Sequence, residues 1–490
     1  MLKSLVQRKA INKQFSRRFS QLQPAVEADL RALIGDDRMS TSSAVLETHG
    51  RDESYHPDSP PQAVIFPRST EEIASIVKIC SANHVPIVPF GAGTSLEGHI
   101  AAIRGGVCLD LSRHMTSILE VKTTDMTCRV QAGVTREQLN LHLRDTGLFF
   151  SVDPGANATL GGMTATRASG TTAVRYGTMR DNVKALTVVL ANGEVIQTGR
   201  PVRKSSAGYD LTALFVGSEG TLGIITEVAL QLHPQPEAAT AAVCSFPSLK
   251  AAVDAAVEVM QCGNIVARIE LLDQVAITAV NKFSKTDLTP APTLFFEFHG
   301  SESTAQEAAQ VASLIVQEQG GSGFQWASTV EERKKLWAAR HSAYHAGIAL
   351  KPGCRGFPTD LCVPLSQLTD AVLKCQGIAE REGLLAPLVG HVGDSNFHLC
   401  LVLDPNNKEE MAKAEAAVDE MVHIAHDMGG TCTGEHGVGY GKLHHLQEEF
   451  GGVAALDAMR AIKLSLDPGD IMNPGKLGSD PRAFSKREHY

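Results

Sequence analysis

The spacing of hydrophobic positions changes along this chain, and the changes divide it. Through residues 62–233, short β-branched runs alternate with stretches in which apolar residues recur every three to four positions, as in strands that alternate with helices. Ser69-Thr-Glu-Glu72 has the form of a capping box and opens a helix running through Lys78, with Ile73, Ile76, Val77 and Cys80 on one face. Val85-Pro-Ile-Val reads as a strand that runs into Gly91-Ala-Gly-Thr-Ser-Leu-Glu-Gly98. Leu186-Thr-Val-Val-Leu and Glu194-Val-Ile, with Asn192-Gly193 between them, predict a hairpin with a two-residue turn. After Pro234-Gln-Pro236 the pattern becomes strand, alanine-rich helix, strand, strand, helix, strand; a helix over 249–260 and a strand over 293–298 are examples. That order predicts an α+β domain with an antiparallel sheet. Glycine returns from about Thr431, and Asp467-Pro-Gly-Asp-Ile-Met-Asn-Pro-Gly-Lys476 precedes a polar tail, 479–490. The expected units are a helical lead-in over 20–61, a glycine-rich α/β unit over 62–233, a cap over 234–430 and a C-terminal segment over 431–478.

Length and composition narrow the class. The 490 residues suffice for two or three domains, and 43% hydrophobic against 20% charged residues describes a globular protein. No apolar run approaches the roughly 20 residues of a spanning helix. Ten cysteines without a CxxC pair point to reduced thiols. Lys3, Arg8, Lys9, Lys13, Arg17 and Arg18 precede the first acid, Glu27, so residues 1–19 resemble a mitochondrial targeting peptide cleaved before Ser20. Without it Lys+Arg falls from 45 to 39 against 54 acids, and the net charge goes from -9 to -15. So acidic a body is a poor partner for nucleic acid, and an anionic ligand needs a local positive site.

Three glycine-rich loops carry the first chemistry. Gly91, Ala92, Gly93, Thr94, Ser95 and Gly98 do not make the dinucleotide fingerprint, because Leu96 takes the place of its third glycine. Their bare N–H groups and two hydroxyls still suit a pyrophosphate, although a tight turn would use the same glycines. The run from Pro154 to Gly170 is almost wholly small residues for 17 positions, which lets backbone approach a large flat ligand. Val216-Gly-Ser-Glu-Gly-Thr-Leu-Gly-Ile-Ile-Thr-Glu227 places Gly220 and Gly223 where a strand begins.

The second chemistry lies in His391-Val-Gly-Asp-Ser-Asn-Phe-His398 and in Gly-Glu435-His436-Gly. A hairpin turning on 393–396 would pair His391 with His398 and bring both rings to one ion. Glu435 and His436 are adjacent, so one can complete the metal's shell while the other faces a substrate or cofactor. Two histidines, a carboxylate and an open position suit zinc or manganese acting as a Lewis acid.

In this order the three loops resemble the FAD-binding domain of the vanillyl-alcohol oxidase flavoprotein family, over about 62–233. His391-x-x-Asp-x-Asn-x-His398, Gly-Glu-His-Gly and Asn473-Pro-Gly-Lys476 resemble the cap of its 2-hydroxyacid branch, with Ser395 where many relatives have glycine. The resemblance implies two α/β subdomains around FAD and a ferredoxin-like antiparallel cap over the isoalloxazine. The first loop would take the pyrophosphate. Pro154, Gly155, Thr159, Gly161, Gly162, Ala165, Ser169 and Gly170 would line the cofactor; Glu219, Gly220, Gly223 and Ile225 would approach its adenosine end, with Asn473 also at the flavin. FAD is expected to be non-covalent, although His99 sits where some distant relatives tether it.

The implied reaction is oxidation of a small D-2-hydroxy acid such as D-lactate, with electrons passing to cytochrome c or an electron-transferring flavoprotein in the mitochondrion. Arg340 matches the carboxylate-binding arginine, His436 the general base, and Asn396 would orient the substrate. D-2-hydroxyglutarate or glycolate oxidation is the alternative within the branch. A metal-dependent hydrolase would leave the 17-residue run unexplained, and the metal-type set argues against an alkyl-ether lipid synthase. Relatives acting on D-2-hydroxyglutarate carry a lysine where Pro358 or Thr359 stands here, so a monocarboxylic substrate is expected.

Overall fold

A computed structural model describes residues 22–327 and 329–479; the expected targeting segment, 1–19, and the tail beyond Ser479 lie outside the described residues. The first sheet runs in the order Met39–Ser40, Ala63–Ile65, Val107–Asp110, Ile87–Phe90, and its last three strands are parallel. Helix Thr70–Ala82 packs on it because Ile73, Ile76, Val77 and Cys80 all face inward, against Ile87, Val107 and Leu109. Ser69 Oγ accepts from Glu72 N at 3.2 Å, but the box does not close. The Glu72 carboxylate reaches one residue further back, to Arg68 N at 2.8 Å, where it also pairs with Arg38.

The second sheet is antiparallel throughout, in the order Ile118–Lys122, Thr127–Gln131, Ile224–Gln231, Val183–Val189, Val195–Gln197. Its last hairpin departs from the two-residue expectation. Leu190 N bonds Glu194 O at 2.9 Å, which leaves a three-residue loop, Ala191 to Gly193. Gly193 takes φ +78, the left-handed residue that such a loop requires.

The cap is one antiparallel sheet in the order Gln325–Ala327, Ala238–Ser245, Thr293–Gly300, Arg268–Leu272, Leu388–His391, Asn396–Leu403, Arg355–Pro358. Phe296, Phe298, Ile269, Leu271, Phe397, Leu399 and Leu401 point to one face, where helices Leu249–Gln261, Glu302–Glu318, Leu368–Arg381 and Lys408–Asp427 bury them. Side chains alternate along a strand. Arg268, Glu270, Glu297, His299, His391 and His398 therefore share the opposite face, toward the glycine-rich domain. Finally the chain returns: Ile87 N bonds Ile471 O at 2.7 Å and Asn473 N bonds Ile87 O at 2.8 Å, a parallel contact at the edge of the first sheet.

Candidate functional site

Between the three glycine loops and the polar face of the cap lies a cavity of about 430 Å³, within the range of ligand clefts. Gly91 to Ser95, Pro154, Gly155, Thr159, Gly161, Gly162, Ala165, Ser169, Glu219, Gly220, Gly223, Ile225 and Asn473 line it, as does His99. The loops interlock there. A Cβ on Gly91 would stand 2.2 Å from Thr159 Oγ1, and one on Gly220 would stand 2.6 Å from Pro89. Asn473 ties the returning chain to two of these segments, donating to His99 O at 3.0 Å and Glu219 O at 2.8 Å. The Glu219 carboxylate accepts from Val438 N at 2.7 Å and Gly439 N at 2.9 Å, so it anchors the turn that follows His436.

Two glycines assigned to the cofactor stand outside this lining. Gly98, at φ +72, is needed because a Cβ would strike the Tyr440 ring at 2.3 Å; Gly170 packs on Asp153, where a Cβ would meet backbone at 2.5 Å. Both make room for protein.

The cap supplies the opposite wall. The hairpin forms, but its register is shifted by two from the expected one: His391 faces Asn396 and Val389 faces His398. The cause is a 3-10 turn over Val392–Asp394 closed by Ser395 at φ +59, which lengthens one strand at the expense of the other. A two-residue shift preserves side-chain parity. The rings still meet, as diagonal neighbours with centroids 5.4 Å apart. His391 Nε2 lies 3.1 Å and His398 Nε2 3.4 Å from Glu435 Oε1. Each ring's other nitrogen has an acceptor: Glu270 Oε1 at 2.8 Å from His391 Nδ1, and Thr359 O at 3.0 Å from His398 Nδ1. With Nδ1 committed to those acceptors, Nε2 of each ring is the face turned to Glu435, the orientation of metal-ligating histidines.

Charge favours a cation at this point. Burial alone would lower the His391 pKa, but the carboxylates of Glu270 and Glu435 outweigh it and raise it well above the ordinary value. For Glu435, burial is outweighed by His391 and His398, and its pKa is lowered.

His436 stacks on His398 with centroids 4.8 Å apart and an 11° interplanar angle. Burial pushes it down to about 3 against the opposing Asp360, so the ring is neutral at any working pH. Its Nδ1 is buried without a hydrogen bond, 3.9 Å from Glu97 Oε1 and from Asp360 Oδ2. Arg340 lines the cavity, is 6% exposed, and pairs through Nη2 with Glu270; its Nε is buried and has no hydrogen-bond partner.

Asn396 does not reach the cavity. Its Nδ2 donates to Asp360 Oδ1 at 2.9 Å and Leu361 O at 3.0 Å, because strand Leu361–Cys362 pairs alongside it on the other edge.

Sequence reasoning missed the two carboxylates that organise this wall. Glu270 joins His391 to Arg340. Asp360 accepts from Glu435 N at 2.8 Å and His436 N at 2.7 Å, so it sets the backbone that presents both side chains. Burial raises Asp360, yet His436, Lys442 and His398 together hold it well below the carboxylate range. A carboxylate on the inward face of an alternating strand, as in Arg268-Ile-Glu-Leu-Leu, was the available clue. Cys400, Tyr344, His341 and His345 complete the lining on this side.

A nucleotide cleft of small residues closed by a histidine-rich antiparallel cap defines a flavoprotein architecture. Residues 61–199 match the FAD binding domain, and residues 235–477 match the C-terminal domain of FAD linked oxidases. The chain belongs to this family of FAD-linked oxidases, flavoproteins of the vanillyl-alcohol oxidase type, as its loops led us to expect. It is 50% identical over 468 residues to probable mitochondrial D-lactate dehydrogenase of Danio rerio, covering 94% of each chain. It is 46% identical over 461 residues to the mitochondrial D-lactate dehydrogenase [cytochrome] of Arabidopsis thaliana, covering 94% of this chain and 81% of that one. Among solved structures, p-cresol methylhydroxylase superposes with a TM-score of 0.77 at 19% identity, over 94% of this chain and 98% of that one.

Proposed function

We propose that the protein oxidises D-lactate and related small D-2-hydroxy monocarboxylic acids to 2-oxo acids in the mitochondrion, with a cytochrome-type electron acceptor. The observation that carries the reading is the wall formed by Arg340, His436 and the His391, His398, Glu435 set, which faces the flavin loops of a chain 50% identical to a probable D-lactate dehydrogenase. The cleft fits FAD by its chemistry, a lining rich in glycine, alanine, serine and threonine; bound there, FAD supplies the hydride acceptor. The second set fits a divalent ion, zinc or manganese, whose Lewis acidity would lower the pKa of a substrate hydroxyl.

The remaining work belongs to side chains. Arg340 lines the cavity and is held by Glu270, so it binds the substrate carboxylate and fixes the α-carbon. With Nδ1 of His436 buried, Nε2 is the nitrogen left to accept the hydroxyl proton. Because burial keeps that ring neutral, it is always ready to do so. Asp360, whose Oδ2 stands 3.9 Å from Nδ1, stabilises the charge that the ring acquires, against the opposing charge of Lys442.

Anaerobic mixing with D-lactate tests the reading: the wild-type flavin bleaches, while His436→Ala retains FAD and bleaches about 10²–10⁴-fold more slowly. Near-normal bleaching by the variant would remove His436 from the base role. A purified protein without flavin absorbance would overturn the redox reading and leave a metal-dependent hydrolase.

A further inference from the structure

Helix Lys408–Asp427 ends where the chain turns through Cys432 toward Glu435 and His436. At that turn His426, Cys432 and Glu449 each present one donor atom, all within 4.8 Å of one another. None of them belongs to the site above. The His426 side chain is 7% exposed, and both ring nitrogens are buried without a hydrogen bond. Instead Glu448 Oε1 stands 3.4 Å from Nδ1 and Glu449 Oε2 stands 3.4 Å from Nε2. That spacing exceeds the roughly 2.7–3.2 Å of a good N–H···O bond. It equals the edge of a tetrahedron whose donors sit about 2.1 Å from a central zinc.

We propose that His426, Cys432 and Glu449 form a second divalent-metal site, with zinc as the ion that its nitrogen, sulfur and oxygen donors select. The thiolate and carboxylate together neutralise a doubly charged ion, which makes its burial beside the fully buried Cys432 tolerable. Glu448 takes the part of the outer carboxylate that orients a ligating imidazole. Glu449 is already positioned, accepting from Thr431 Oγ1 at 2.8 Å and Cys432 N at 3.1 Å. Water completes the tetrahedron. The three ligands come from the end of a long helix, the extended segment after it, and the short helix Leu446–Glu449. The ion therefore clasps the segment that delivers Glu435 and His436, and its role is to position them.

The test uses full-length, FAD-loaded protein supplied with zinc, with metal counted by mass spectrometry and the zinc shell read by X-ray absorption. The active-site set contains no sulfur, so a sulfur neighbour at about 2.3 Å reports on Cys432. The expected result is a sulfur-ligated zinc that survives His391→Ala and disappears in Cys432→Ser. Should Cys432→Ser fail to fold, His426→Gln replaces it and is expected to weaken that zinc by at least tenfold. A zinc-saturated wild type with only nitrogen and oxygen neighbours overturns the proposal and leaves His426 as an imidazolium between two glutamates. A sulfur shell that survives Cys432→Ser, or zinc affinity unchanged in His426→Gln, overturns it as well.

Discussion

Glu270 is the residue on which the most depends and which the sequence announced least. Its two oxygens serve His391 and Arg340, so a single carboxylate orients both the proposed metal ligand and the proposed carboxylate-binding group. Glu270→Gln keeps the shape and removes the charge. Loss of such an outer partner typically costs 10–100-fold in metal affinity or activity. We expect kcat/KM for D-lactate to fall by about that range, with metal content falling in parallel by mass spectrometry; intact metal binding and activity would assign Glu270 a packing role. Substrate size is decided at this scale too. Pro358 lines the cavity, Thr359 Oγ1 is occupied by Leu399 N at 2.9 Å, and Lys351 lies outside the cavity, paired with Glu410 at 2.6 Å. A second substrate carboxylate would lose water without gaining a cation, a cost on the order of 3 kcal/mol. D-2-hydroxyglutarate should therefore show kcat/KM about 100-fold below that of D-lactate, and equal turnover would refute the monocarboxylate reading. The histidines and Glu435 stood out in the sequence because their residue types are improbable in such segments without chemistry, whereas Arg340 was singled out only through the family resemblance; the structure brings all of them to one cavity. Glu270 and Asp360 did not stand out, since the site residues they orient, Arg340, His391, Glu435 and His436, lie 70 or more positions away in sequence. Asn396 was conspicuous by residue type, but the neighbour that takes its amide, Asp360, could not be seen in the sequence.

Elements were easier to read than contacts. The helices expected over 249–260 and after the Ser69 cap stand at Leu249–Gln261 and Thr70–Ala82, because periodic burial and a capping residue fix a helix locally. Loop length and register are set by turn geometry, and there the reading slipped, by one residue at Asn192-Gly193 and by two at the histidine hairpin. One capping residue carries a pH prediction. Asp273 Oδ1 accepts from Ala276 N at 2.7 Å at the start of helix Gln274–Ser284, and burial raises its carboxyl to about 6. Between its unfolded value of 3.8 and about 6, the unfolded chain has released a proton that the folded chain still holds. Folded protein thus binds more protons in that window, and stability falls as pH rises through it, levelling off above pH 6. Asp273→Asn keeps an acceptor and removes the titration. Between pH 5 and 7.5 the wild type should lose about 1 kcal/mol relative to the variant, read from denaturant midpoints at the two pH values. A constant difference would show that Asp273 titrates normally.

At the scale of the whole molecule, the loops and the cap were each recognisable, whereas their docking rests on pairs that no local pattern reveals. Arg268, on the inward face of the cap sheet, donates to Asp153 Oδ2 at 3.0 Å and lies 4.7 Å above the Trp337 ring. Asp153 immediately precedes the small-residue run and holds its far end through Thr171 Oγ1 at 2.7 Å and Thr172 N at 3.0 Å. One buried ion pair therefore closes the loop on itself and fastens it to the cap. Removing one member leaves the other charged and unpaired, at a cost of about 3–5 kcal/mol. Arg268→Ala should loosen the cap and the cofactor run together. A ligand that binds only folded protein adds about 2.7 kcal/mol of apparent stability at 100 times its Kd. FAD at a fixed concentration should accordingly raise the melting temperature of the wild type more than that of Arg268→Ala. The double variant Arg268→Ala/Asp153→Asn should recover part of the lost stability, since it no longer buries an unpaired carboxylate. If FAD stabilises Arg268→Ala as much as wild type, the pair fastens two domains without shaping the flavin cleft.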